Sequence, residues 1–350
     1  MTISTLFQFL DPSFYQGREN VVIQNLVYDS KKVKAGDVFV ALKGTHFNGH
    51  DFVPEVLLKG AYAVVQEGEY SLKEQVFMVP DTRKALALLS KAYFDSPDKH
   101  LKVVGITGTN GKTTSTYMIA SLLKAQKIKM GIIGTIQAVV GEKTFKIENT
   151  TPESFEIYRL LALMKQEGCQ GAVLEISSHA LEMSRVEGLD LDAVIFTNLT
   201  QDHLDFHKNM ENYLSSKLKI FNLLKLSTKE RKMAFINADL KETQVLKDSL
   251  AHLDLPYETF GFSNQSNWTA YSSSMTITHN VFTISYGSCD YEIDTPLLGE
   301  FNLYNALGSV ATSVFLGAKK EGIETGLKNL VVPGRFEPVF NSLGFSVIVD

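Results

Sequence analysis

The stretch Gly105-Ile106-Thr107-Gly108-Thr109-Asn110-Gly111-Lys112-Thr113-Thr114 constrains this chain more than any other. Glycines at 105, 108 and 111 let the backbone turn tightly and approach an anion, because they carry no Cβ. The apolar run over 101–106 reads as a buried strand, and 115–125 reads as a helix. Backbone N–H groups of such a loop, with a helix N-terminus behind them, hold phosphate oxygens. Lys112 can reach the outer phosphates, and the Thr113 hydroxyl can ligate Mg²⁺. The strand–loop–helix setting is the context this motif requires. It predicts ATP or GTP bound by Gly108, Thr109, Asn110, Gly111, Lys112, Thr113 and Thr114.

The rest of the chain has to supply a sheet for that loop, and its size allows one. Its 350 residues are enough for about two or three domains. With 44% apolar and 21% charged residues it reads as an ordinary globular chain rather than a disordered one. A net charge of −5 and the lack of a basic stripe argue against nucleic acid as a partner. Cys169 and Cys289 are far apart and form no spaced motif, so neither a disulfide framework nor a zinc site is indicated. Residues 1–14 lack a basic stretch ahead of an apolar core, and no apolar run reaches the roughly 18 residues needed to span a bilayer. These features predict a cytoplasmic protein with no membrane partner.

Periodicity then divides the chain. Residues 1–97 hold short strand-like runs at 37–42 and 61–65 and one good helix at 82–94. Asp95-Ser96-Pro97-Asp98-Lys99 breaks the pattern and reads as a linker. Strands predicted at 103–107, 129–134, 171–176, 193–197 and 233–237 follow, alternating with helices at 113–125, 154–167 and 210–224. That alternation argues for a mostly parallel sheet covered by helices. Short alternating runs over 268–295 predict an antiparallel patch, a helix is predicted at 303–315, and a last strand at 345–350. The predicted class is α/β. A small N-terminal α/β domain spans 1–97. A central P-loop ATPase-like domain, a mostly parallel sheet flanked by helices with an antiparallel patch, spans 98–332. The start of a further domain, cut short, spans 333–350.

Ligands of open parallel sheets collect at the carboxyl ends of the strands. Glu175 ends one apolar run beside the phosphate loop, which makes it a candidate for direct or water-mediated Mg²⁺ binding. The cluster 198–205 follows another strand, and His203 within it could hold a metal or a phosphate oxygen, although Asn and Asp there equally fit a helix cap. Lys217 lies beside the apolar stripe Met210, Leu214, Leu218 and Phe221. The default for such a lysine is a head held in water. The sharper reading is a buried amine of lowered pKa that reacts with CO₂. Thr150-Thr151-Pro152 and Ser177-Ser178-His179 leave the sheet as two further polar groups, each also readable as a cap or turn.

Together these pieces resemble the Mur ligases, ATP-dependent amino-acid ligases of peptidoglycan synthesis. Within that family they look most like the step that adds the third residue to UDP-N-acetylmuramoyl-L-alanyl-D-glutamate. The phosphate loop, Asn149-Thr150-Thr151-Pro152, residues 175–181, Arg185-Val186, residues 196–207, Ser216-Lys217 and Gly299-Glu300-Phe301-Asn302-Leu303-Tyr304-Asn305 fall in the family's order. Tyr28-Asp29-Ser30-Lys31, residues 36–42 and Asn48-Gly49-His50-Asp51-Phe52 resemble its UDP-binding domain. The resemblance implies that Ser30, Thr45, His46 and Phe47 hold the UDP part. It assigns Asn149, Thr150, Thr151, Ser177 and Arg185 to the peptide-bearing nucleotide sugar. It implies Thr113, Glu175 and His203 as metal ligands, and Lys217 as a carbamylated, metal-bridging lysine. Lys112, Lys217 and His203 would be the catalytic set. Asn302 and Asn305 would approach the adenine, though Asn302 also fits a helix N-cap, Arg335 would lie near the phosphates, and Asp350 at the ribose.

The implied reaction moves the γ-phosphoryl of ATP to the side-chain carboxylate of D-glutamate, with Mg²⁺ as cofactor. The amine of meso-diaminopimelate or L-lysine then attacks the acyl phosphate. A monomer is implied. Two departures stand out. Asn48 replaces the family's usual aspartate, and the family's third domain continues beyond the position of Asp350. The stretch as it stands is therefore expected to bind both nucleotides and ligate poorly. The alternatives are another Mur or folylpolyglutamate-type ligase and a nucleotide-binding module without ligase activity. The first domain and Thr150-Thr151-Pro152 argue against the former, and the retained Lys112, Glu175 and Lys217 argue against the latter.

Overall fold

Alternation of apolar side chains builds the first sheet. In the computed structural model, β1 (Leu26–Val27), β2 (Val38–Val40), β3 (Tyr62–Val65) and β4 (Val76–Met78) pair in that order, all parallel. Val38 and Val40 join a core with Phe77, with Ile3 and Leu6 of α1 (Ile3–Leu6) and with Leu86 and Leu89 of α3 (Thr82–Tyr93). Phe39 and Ala41 point the other way, onto Val53 and Val56 of α2 (Val53–Leu58). The structure describes all residues except 45, 46, 203, 277, 336, 340–346 and 350, and gives backbone alone at 204, 205, 272, 273, 337–339 and 347–349. The candidates Thr45, His46, His203 and Asp350 lie outside the described residues.

The chain forms two units. The first comprises Met1–Pro97, Glu153–Ala162 and Met183–Gly188, and the second the remainder. Sequence periodicity placed the two later stretches in the central domain. Their packing explains the difference. Phe155 lies 5.6 Å from the Tyr28 ring and 5.1 Å from that of Phe94, and Lys91 Nζ donates to the Gly188 carbonyl at 2.6 Å. Such side-chain matches carry no periodic signal.

The second unit is built on β5 (Lys102–Thr107), β6 (Met130–Ile133), β7 (Ala138–Val140), β8 (Lys143–Phe145), β9 (Gly171–Glu175), β10 (Ala193–Phe196), β11 (Met233–Asn237), β12 (Tyr257–Gly261), β13 (Trp268–Met275), β14 (Asn280–Tyr286) and β15 (Cys289–Thr295). They form one 11-stranded sheet in the order β15-β14-β13-β12-β11-β10-β5-β9-β6-β7-β8. From β6 to β13 the pairs are parallel. Antiparallel hairpins occupy both ends: the predicted patch at β13–β15, and β6–β7–β8, which the sequence reading missed. A short antiparallel pair closes the described chain: β17 (Val347–Val349) falls within the last strand predicted at 345–350, while its partner β16 (Glu337–Val339) was not predicted.

Helices cover this sheet as its alternation demands. Val104 and Ile106 of β5 face Ile119 and Leu122 of α4 (Lys112–Lys124), Val310 of α10 (Glu300–Phe315) and Ile323 of α11 (Lys320–Gly326). Gly105 faces the opposite side, toward Ile220 of α8 (Met210–Leu226). Helices α5 (Ser154–Gln166), α6 (Ser178–Glu182), α7 (Leu204–His207) and α9 (Thr243–His252) complete the connections. Helix α10 starts earlier than predicted. Gly299, at φ +92°, is its cap and accepts the Asn302 N–H, so Asn302 lies in the first turn and is not the N-cap. Among the described residues no helix is long and apolar enough to cross a membrane.

Candidate functional site

Strand order brings the candidates of the second unit together. β10, β5 and β9 are neighbours, so their carboxyl ends and the polar segments that leave them lie side by side. The loop after β5 turns at Gly108 (φ +142°) and Gly111 (φ +82°), both in the left-handed half of backbone space. A Cβ at Gly108 would lie 2.0 Å from Thr197 Oγ1, and one at Gly111 2.2 Å from Asn305 Oδ1. Glycine is therefore required by contact as well as by conformation. Gly111 then caps α4, whose first N–H groups point to the loop.

The segment after β10 pins this loop. Thr109 N–H donates to the Asn198 carbonyl at 3.0 Å, and Asn110 N–H to Asn198 Oδ1 at 2.9 Å. Thr197 Oγ1 and Asn198 Nδ2 both donate to the Asn110 carbonyl, at 2.7 and 3.0 Å. Thr109 Oγ1 is held by the Thr200 backbone and by Tyr213 Oη. The 198–205 cluster, read from sequence as a ligand group or a cap, thus acts in its described part as a clamp.

Lys112 Nζ folds back on the loop, donating to the Gly108 carbonyl at 2.9 Å and the Thr109 carbonyl at 2.7 Å. Burial pushes its amine below the ordinary lysine value, and the charges of Glu175 and Asp202 oppose that shift. Glu175, at the end of β9, is 1% exposed. Thr113 Oγ1 donates to Glu175 Oε2 at 3.0 Å, and Thr135 gives the same carboxylate its backbone N–H at 2.9 Å and its hydroxyl at 3.0 Å. Burial nevertheless pushes this carboxyl above the usual carboxylate range. A buried acid and a buried amine, each shifted toward neutrality, mark this loop end as a candidate functional site.

Lys217 is not a snorkelling lysine. It is 1% exposed, and its amine points inward to donate to the Gly108 carbonyl at 2.8 Å. Its Nζ lies 4.3 Å from the centroid of the Tyr213 ring. Burial, assisted by the charge of Lys112, pushes the amine down to about 6. The Thr150-Thr151-Pro152 element converges on Glu175 as well. Thr151 Oγ1 donates to the Glu175 carbonyl at 2.8 Å and accepts the Ser177 N–H at 3.0 Å, while the Thr150 and Thr135 hydroxyls lie 3.1 Å apart. Asn149 is exposed.

The loop residues 109–114, with Thr135, Thr150, Glu175, Ser177 and Asn198, line a cavity of about 810 Å³, bounded further by Asn237, Asp239, Tyr304, Asn305 and Arg335. Asn305 Nδ2 donates to Asn302 Oδ1 at 3.1 Å, so Asn302 supports Asn305 from behind. The sequence reading missed Thr135, Asn237, Asp239 and Tyr304. Asn237 ends β11 and Asp239 lies two residues beyond it, so the strand-end rule applied to that strand would have found them. Tyr304 Oη donates to Asp239 Oδ2 at 3.0 Å.

The remaining candidates belong to the first unit. Ser30 opens a 3₁₀ turn capped by Asp29, and Phe47 is 76% exposed at a loop closed by the Gly44 N–H to Phe47 carbonyl bond. Arg185 Nε lies 3.1 Å from Glu153 Oε1, which also takes Arg83 Nη1 at 3.4 Å. Arg83, a second guanidinium on one carboxylate, was not singled out from sequence.

Comparison with known proteins agrees with this architecture. Residues 106–313 match the Mur ligase middle domain, and residues 22–94 the Mur ligase family catalytic domain. The UDP-N-acetylmuramoyl-L-alanyl-D-glutamate--2,6-diaminopimelate ligase of Clostridium perfringens is 37% identical over 358 residues, which cover 100% of this chain and 72% of that relative. The ligase of the same name from Geobacillus kaustophilus is 38% identical over 353 residues, again 100% and 72% of the two chains. A solved structure of a ligase so named superposes with a TM-score of 0.82 at 22% identity, over 97% of this chain and 69% of the other. A MurF ligase from Thermotoga maritima in complex with ADP gives 0.62 at 22% identity, over 92% and 70%. At that identity the solved structures speak for the fold. The full-length identity to the curated relatives, together with the two matched domains, goes further: this chain belongs to the Mur ligase family.

Proposed function

We propose that this chain is an ATP-dependent ligase of peptidoglycan-precursor synthesis, working in the cytoplasm. It joins 2,6-diaminopimelate to the D-glutamate carboxylate of UDP-N-acetylmuramoyl-L-alanyl-D-glutamate. The observation that carries this reading is the glycine loop with Lys112 and the Thr113–Glu175 pair on one cavity, at the ends of adjacent strands. The relatives' names favour diaminopimelate over L-lysine as the incoming amine.

Phosphoryl transfer depends on positioning and charge neutralisation more than on covalent help. The loop amides and the α4 N-terminus are placed to take phosphate oxygens, and Lys112 exchanges its loop carbonyls for them. Mg²⁺ supplies neutralisation of the charge on the transferring group. The donors fit that ion. Among the described residues no group of three His, Cys, Asp or Glu side chains could hold a metal alone. One carboxylate and one hydroxyl, completed by substrate phosphates and water, is the arrangement Mg²⁺ takes most readily. Lys217, buried with a depressed pKa, supplies the neutral amine that carbamylation requires. Thr150, Thr151, Ser177 and Arg185 are assigned to the peptide-bearing nucleotide, and Ser30 and Phe47 to its UDP part.

The test is phosphate release from ATP in the presence of each candidate acceptor with diaminopimelate. UDP-N-acetylmuramoyl-L-alanyl-D-glutamate should support turnover, and Lys112→Ala should weaken ATP binding by about 10–200-fold, from the loss of charged hydrogen bonds at roughly 1.5–3 kcal/mol. Turnover with a folate acceptor instead, or unchanged ATP affinity in Lys112→Ala, would overturn the reading.

A further inference from the structure

His207 is a buried histidine that the site described above does not use. It ends α7, is 5% exposed, and places Nε2 2.9 Å from Ser178 Oγ and Nδ1 3.2 Å from Ser216 Oγ. Ser216 Oγ also contacts Glu182 Oε1, and it lies 2.9 Å from the Asn212 carbonyl. A serine hydroxyl has one proton. The Glu182 carboxylate and the Asn212 carbonyl can only accept, so Ser216 spends its proton on one of them. It must therefore accept from the imidazole, and His207 carries its proton on Nδ1. The Ser178 hydroxyl is then free to donate to Nε2.

The partners give this arrangement its meaning. Ser178 follows Ser177, and Ser216 precedes Lys217. The imidazole also packs at 5.0 Å against the Tyr213 ring, whose hydroxyl meets Thr109 of the phosphate loop. One ring thus ties the start of α6, the face of α8 that carries Lys217, and the loop clamp. Lys219, the next charged residue of α8, pairs with the other oxygen of Glu182 at 2.7 Å, which fixes the far end of the chain of bonds.

We propose that His207 is a positioning residue for the ligase reaction: through Ser216 and Ser178 it sets the rotation of α8 that aims Lys217 at Gly108 and the placement of Ser177. This rests on the ligase reading above. The geometry makes the two halves of the ring separable. An Asn side-chain amide reaches the place of Nδ1 and keeps the donation to Ser216. A Gln amide reaches the place of Nε2 and keeps only the Ser178 contact.

The test compares His207→Gln, His207→Asn and Ser178→Ala with the full chain. Loss of an outer-shell partner of this kind costs about 10–100-fold in turnover. His207→Gln should lose that much kcat for phosphate release with the KM for ATP nearly unchanged, and His207→Asn should recover to within about threefold of the parent. A crystal structure of His207→Gln should show Lys217 Nζ withdrawn from the Gly108 carbonyl. Equal losses in the Gln and Asn variants, matched by equal drops in melting temperature, mean packing alone and overturn the proposal, as does Lys217 unmoved in the Gln variant. If His207→Gln fails to fold, Ser178→Ala decides: it removes the same bond as His207→Asn and should keep kcat within about threefold of the parent, and a loss of about 10–100-fold in Ser178→Ala overturns the assignment of the two halves of the ring. If the parent releases too little phosphate to compare, the position of Lys217 in the variant still decides the role of His207.

Discussion

Lys217→Met isolates the cost of burying an amine in this sheet. In the folded chain that amine is pushed to about 6, from an ordinary value of 10.5. The folded pKa of this base is depressed, so between about 6 and 10.5 the unfolded chain holds a proton that the folded chain has released. Stability then rises with pH across that window, by about tenfold in the folding equilibrium per pH unit, and is flat below it, where both states are protonated. From pH 6.5 to 9.5 the contribution reaches roughly a thousandfold, or about 4 kcal/mol. Methionine keeps an unbranched chain of similar volume without the charge, so the variant should lose this slope. Trp268 is the chain's one tryptophan and is buried in the second unit, so its fluorescence in urea follows the relevant unit alone. The titrations belong in buffer freed of carbon dioxide, because a carbamate on Lys217 would replace the amine with an anion. Parallel pH profiles for parent and variant would refute the argument, since they would mean that the folded state carries an ionised Lys217.

Two other changes test the site's construction. Gly108→Ala places a Cβ 2.0 Å from Thr197 Oγ1 at φ +142°, so strain and overlap together should cost roughly 2–5 kcal/mol by the same Trp268 measurement; a cost near zero would mean that Thr197 does not clamp the loop. Thr135→Val removes one hydroxyl from Glu175 Oε2 and leaves the backbone bond, so the Mg²⁺ concentration for half-maximal phosphate release should rise about tenfold, and an unchanged Mg²⁺ dependence would remove Thr135 from the site.

Local physics made much of this protein legible in its residues. Gly108, Gly111, Lys112 and Thr113 declare a phosphate loop because positive φ, a missing Cβ and a helix start are all short-range requirements. The strands at β5, β9, β10 and β11 showed as apolar runs for the same reason, and Glu175 showed as the polar residue ending one of them. The hairpin β7–β8 and helix α9 were missed. β8 exposes two of its three residues, and α9 buries few, so their periodic signals are weak.

Other features depend on which strands are neighbours, and no local pattern encodes that. The order β10-β5-β9 is what lets Asn198 grip Asn110 and Thr113 reach Glu175, residues 88 and 62 positions apart. It also turned Lys217 inward. From sequence that side chain lay beside an apolar stripe with water as its default, while the packed α8 leaves it 1% exposed against the Gly108 carbonyl. The chain alone settled what the phosphate loop is made of, because backbone conformation is decided within a few residues. Tertiary packing alone settled which side chains surround it and how their protons are shifted, because burial and partnership arise only when distant segments meet.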